Sequence, residues 1–244
     1  MTRRALPLLL LVLMAAPGCY HYGFQGQPRQ LIRSPKPWED LARIREGEDA
    51  RARREAMIRL AQTAAGLKGE VWHAYSGRKQ IARSVSMAHE TDPMVRATAA
   101  ALLRQVGTEM EAPLLARSLE GNAEAELGPE PSDFARREMV KTLGVLGTRD
   151  EIPLLRRILL GRREAVGTRV EAGYALARIG GPDAVSALVE GLSDFDESVI
   201  FACWDGLNML TGEDLPPAET VWARWWEEHR GEFAAEDLIT DREI

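Results

Sequence analysis

The sequence predicts an all-α protein: an α-solenoid of antiparallel helix pairs, preceded by a disordered amino-terminal signal and tether. Three observations lead there. Residues 108–119 and 148–159 share seven identities in twelve positions. Three further segments, 95–107, 135–147 and 168–180, end in an aligned glycine. The composition is rich in Ala, Leu, Arg and Glu and has only 6% aromatic residues, which favours helix over sheet.

The 244 residues carry a formal net charge of −6, and 45% of them are hydrophobic. That is a folding composition. Removal of a segment holding Arg3 and Arg4 leaves a charge near −8 (−6 minus two positives). Phosphate contacts need clustered Lys and Arg, so nucleic acid is not an expected partner. Two cysteines, Cys19 and Cys203, far apart in the chain, do not make a disulfide framework.

Residues 1–18 read as a signal peptide. Arg3 and Arg4 precede an apolar run from Ala5 to Ala16, and Pro17-Gly18-Cys19 follows. The run is shorter than the roughly 20 residues a spanning helix needs. The segment resembles a bacterial lipoprotein signal, whose box ends in Gly-Cys. Gly18 and Cys19 match; Ala16 and Pro17 depart from the box. The resemblance implies lipidation at Cys19, attachment to a membrane through that lipid, and a place in the cell envelope facing the periplasm or the outside. The alternative is a secreted chain cleaved at the same bond. Residues 19–37, with three prolines between Tyr20 and Pro37, form the expected tether. If flexible it reaches roughly 25 Å.

The repeats run through 92–215. Segments 95–107, 135–147 and 168–180 each carry Arg second, Leu ninth, an aliphatic residue twelfth and Gly last. The Leu and the aliphatic residue lie on one helix face. The glycine suits a helix end that needs a left-handed residue. Pro182 opens a second helix in the third unit, where Leu188 and Leu192 stand as Leu115 and Leu119 do. A fourth unit starts at Val199 and runs through Cys203 and Leu207. The offsets are 40 (95 to 135), 33 (135 to 168) and 31 (168 to 199). An insertion from Gly121 to Pro131 explains the longest. Residues 38–91 hold degenerate pairs, with Arg54 to Gly66 keeping Ile58, Leu60 and Gly66 in the pattern. In 216–231, Trp222, Trp225, Trp226 and His229 share one face of a helix. That segment reads as a cap, with a tryptophan-based binding surface as the alternative. Residues 232–244 form an acidic tail.

A helix, a Gly-containing turn and a helix with a period just over 30 residues resemble the HEAT repeat, in its bilin-lyase-like form. Asp92-Pro93-x-Val95-Arg96-x-x-Ala99-x-x-x-Leu103-x-x-Val106-Gly107 carries the resemblance. It implies that the second helices line a concave surface that receives extended partners. Arg117, Arg156 and Arg157, with Arg162 and Arg163 beyond them, would form a basic stripe there for an acidic protein partner.

The histidines are scattered, no paired-His zinc pattern occurs, and the glycines follow the repeat rather than a phosphate loop. Cys203 aligns with Ala99 and Ala172, which is a packing position. The expectation is therefore a non-catalytic adaptor without cofactor, metal or small-molecule substrate. The alternative is an enzyme or chromophore-handling protein, as some bilin-lyase-like relatives are, with Cys203 as its thiol.

Overall fold

The computed structural model describes residues 36–66, 71–123 and 126–231. The signal, Cys19, nearly all of the tether and the tail 232–244 lie outside them. The helices are α1 (Pro37–Glu46), α2 (Ala50–Gly66), α3 (Val71–Arg83), α4 (Pro93–Val106), α5 (Ala112–Glu120), α6 (Asp133–Leu146), α7 (Ile152–Leu160), α8 (Val166–Ile179), α9 (Pro182–Gly191), α10 (Glu197–Thr211) and α11 (Glu219–His229). Among the described residues the only β pairing is an isolated bridge, Asn122 to Leu127, inside the insertion.

Local chemistry starts each helix. The Asp92 carboxylate accepts from the Met94 and Val95 amides at 2.8 and 3.1 Å, and Pro93 supplies a preset φ. Ser132 and Asp196 cap α6 and α10 in the same manner. The seven-identity motif is a helix start. The Thr108 amide donates to Glu111 at 2.7 Å, and the Thr148 amide to Glu151 at 2.7 Å. A proline then sits in the first turn of α5 and of α7.

The aligned glycines serve two different needs. Gly180 has φ +71, which favours glycine, but its ψ of −172 takes it out of the left-handed helical region expected there. Gly107 and Gly147 are extended, with φ −80 and −70. They are required instead for close approach: a Cβ at Gly107 would lie 2.5 Å from the Leu103 carbonyl oxygen and 2.8 Å from Leu146 Cδ1.

First helices α2, α4, α6, α8 and α10 pack side by side in chain order. The second helices α7, α9 and α11 form a parallel row, with α5 set beside α6. Leu103, Leu143, Leu176 and Leu207, eight residues along the aligned segments, are fully buried between the rows. The row begins earlier than the sequence register implied. Arg53, not a residue two places later, matches Arg96, and Leu60 matches Leu103. Ile58 consequently faces out, 40% exposed. At the far end α11 lies on α9, burying Trp222 and Trp226. The Trp204 indole donates to the Leu215 carbonyl at 2.6 Å, drawing the 212–218 loop to α10.

The aligned arginines are the least expected part of the interior. Arg53, Arg96, Arg136 and Arg169 each reach an acid just ahead of the next first helix: Glu90, Glu130, Glu164 and Asp194. Arg96 meets Glu130 through two bonds of 2.6 and 2.7 Å, and both side chains are buried. The acids then bind the next helix cap. Glu90 accepts from the Asp92 amide at 2.8 Å, Glu130 from Ser132 at 3.0 Å and Asp194 from Asp196 at 2.8 Å. Arg96 also donates to the Glu90 and Thr91 carbonyls, at 3.0 and 2.8 Å. Arg53 and Arg96 thus each close the entrance of their own helix and hold the entrance of the next.

Breaking one clasp strands a buried charge. Arg96→Ala is expected to cost about 3–5 kcal/mol. Truncation of the exposed Arg156 should cost under about 1 kcal/mol. Urea denaturation of the two variants checks the contrast.

Candidate ligand groove and second-helix row

Arg117, Arg156 and Arg157 do lie on second helices, but two of the three are neutralised. Arg156 on α7 grips Glu190 on α9 through contacts of 2.8 and 3.2 Å. Arg157 on α7 pairs with Glu120 on α5. Arg117 is exposed, and its Nε donates only a long 3.4 Å bond to the Pro113 carbonyl. The expected basic stripe is therefore an alternation of charges along adjacent helices. The acids stand 34 and 37 residues away in the chain, so no local pattern marks them.

Beside Arg157 a groove of about 640 Å³ opens between α5, α7 and the end of the insertion. Leu119, Leu154 and Ile158 give it an apolar floor, and Pro129 and Pro131 wall one side. Arg157 and Arg163 line its rim, and the Arg136–Glu164 clasp closes its end. Two of these arginines are matched by acids. Arg163 has no ion-pair partner among the described residues. Asp133, also in the lining, has no ion-pair partner among the described residues either, so the groove combines apolar surface with one unpaired cation and one unpaired carboxylate, a setting for an apolar ligand whose carboxylate lies at the Arg163 side.

Other chemistry is scarce. Among the described residues no group of three His, Cys, Asp or Glu could hold a metal. Cys203 is buried against the Gly191 turn, where no side chain would fit beside its sulfur. Burial, reinforced by the nearby Asp194 charge, pushes its thiol up to about 12. It is a core residue, as its alignment with Ala99 and Ala172 implied. His229 is used locally: its ring stacks on Trp225 at 4.6 Å and its Nδ1 lies 2.7 Å from the Trp225 carbonyl.

The profile of the HEAT-repeat family matches residues 125–208. Residues 125–208 therefore carry HEAT repeats. Its fold is similar to a chain in the complex of CpcE and CpcF of phycocyanin lyase from Nostoc sp. PCC7120. The TM-score is 0.56 and the identity 18%, covering 84% of this chain and 73% of that one. No curated protein matches it. The Nostoc chain corrects one expectation. A chain of similar fold belongs to a lyase complex, so the absence of a local catalytic motif does not make this chain a non-enzyme. Catalytic or ligand-holding groups on a helical stack come from separate units, and neither the groove nor the clasps form a contiguous motif. One signal was readable: an acid two residues before a helix cap, as in Glu90-x-Asp92, Glu130-x-Ser132 and Asp194-x-Asp196.

Cys203 yields a direct test. An aromatic disulfide reagent should leave it unmodified at neutral pH until the protein is unfolded. A thiol ionising near 9 when unfolded and about 12 when folded stabilises the protein below pH 9. That contribution is lost as pH rises through this window, which melting curves across it would record.

Proposed function

We propose that the chain is a lyase-like, chromophore-handling HEAT protein that works with a second protein. It seats a carboxylate-bearing apolar group, of the linear tetrapyrrole kind, in the groove beside Arg157 and Arg163. The observation that carries this reading is the groove itself: an apolar floor beneath an arginine with no partner among the described residues. The similarity in fold to a phycocyanin lyase subunit supports the ligand class. The chain's contribution is to bind and orient. Arg163 takes a carboxylate, Leu119, Leu154 and Ile158 take the apolar body, and Glu120 and Asp133 are the carboxylates within reach of a proton. With Cys203 enclosed, a thiol for any addition or elimination comes from the substrate protein.

The same reading places the protein at the cell envelope, tethered by a lipid on Cys19. What supports this is the order of Arg3 and Arg4, the apolar 5–16 run and Gly18-Cys19. A protein partner bound across the second helices, with Arg117, Arg156 and Arg157 at the contact, fits a tethered solenoid.

Biliverdin is a suitable probe. Titration followed by visible absorbance should show saturable binding, weakened about tenfold by Arg163→Glu and unchanged by Arg43→Glu. Binding that fails to saturate, or that ignores Arg163→Glu, would overturn the reading. Mass spectrometry of the mature amino terminus is expected to find acyl chains on Cys19; an unmodified cysteine would remove the anchor.

A further inference from the structure

The edge of the stack formed by the first-helix amino ends carries one exposed apolar side chain per unit. Met94 stands on the first turn of α4, Phe134 on that of α6, Val166 on that of α8, and Phe195 just ahead of the α10 cap. Phe134 is 50% exposed and Phe195 67%. Single exposed apolar residues are ordinary on a protein surface. Four on one edge, in successive units, form a line. Phe195 is also held in place, its ring 4.6 Å from the Arg169 guanidinium.

The line has a spacing and a charge. Packed helices lie about 9–10 Å apart. A polyproline-II segment advances about 3.1 Å per residue and presents every third residue on one face. Each unit therefore spans about one turn of such a segment. Between Phe134 and Phe195 the 161–165 loop projects Arg162, which is exposed and has no ion-pair partner among the described residues. Exposed Asp133 and Glu197 flank the two phenylalanines. Those carboxylates oppose an anionic lipid surface. They leave room for a narrow peptide that meets Arg162, while the neighbouring Arg163 lines the groove.

We infer that this edge binds a polyproline-II segment of a partner protein with apolar residues at every third position and an acidic residue facing Arg162. Met94, Phe134, Val166 and Phe195 take the apolar side chains in order. Arg162 fixes the register, because a carboxylate elsewhere along the segment would face Asp133 or Glu197. The inference is independent of the groove and holds whether or not a ligand sits there.

Random-peptide display on the immobilised full chain tests it. Enriched peptides are expected to carry apolar residues three apart with an intervening Asp or Glu. In fluorescence anisotropy they should bind about tenfold more weakly to Phe134→Ser and to Arg162→Glu. Arg162 lies on an exposed loop, so its variant keeps the test valid if Phe134→Ser melts early. Enrichment without that spacing, or equal affinity for wild type and Arg162→Glu, would overturn the inference. So would Phe134-dependent sedimentation of the wild type with phosphatidylserine-containing vesicles, which would make the edge a lipid-binding face.

Discussion

A guanidinium buried four residues into a first helix imposes a condition on the chain that follows it. Left alone, such a charge costs several kcal/mol. Arg96 escapes that cost only because Glu130 returns to it from the entrance of the next unit. Glu130 in turn fixes the amide of Ser132, which caps α6. One bidentate contact therefore sets where the next helix begins and ties neighbouring units together. The same device recurs from Arg53 to Asp194. The separation between arginine and acid falls from 37 to 34, 28 and 25 residues along the stack. Connections may vary in length because the acid, not the loop, marks the start of the next helix.

This condition explains how the insertion is carried and why the groove lies where it does. The insertion sits between Arg96 and Glu130, and its last residues deliver Glu130 to the clasp. The extra chain is held at Gly121 by the end of α5, by the Asn122–Leu127 bridge, and at Glu130 by Arg96. Pro129 and Pro131 thereby become a wall opposite α7. The floor is made of residues the stack already buries, such as Leu119, Leu154 and Ile158. A feature of one loop thus turns a regular packing surface into a site for an apolar group, with Arg157 and Arg163 at its rim.

The helix pairs were legible because their signals are local. Thr148, Glu151, Pro153 and Leu155 lie within one turn or two of each other and act on the same helix. The arginines were equally visible as a repeating residue, yet their role was not, since Glu130 and Asp194 are brought to them by the fold. The same limit governs the second helices, where Arg156 and Arg157 look basic in sequence but face Glu190 and Glu120. The glycines show a further limit: Gly107 and Gly180 occupy equal positions for different reasons, steric in one case and conformational in the other. The sequence holds no contiguous catalytic motif, and a stack of units has no need of one.

A double-mutant cycle on Arg96 and Glu130 tests the dependence most directly. With Arg96→Met, Glu130→Met and the double variant unfolded in urea, each single change should be costly, and the double should recover about 2 kcal/mol or more of the summed loss. Simple additivity of the two changes would contradict the account, because the pair would then hold neither the charge nor the start of α6.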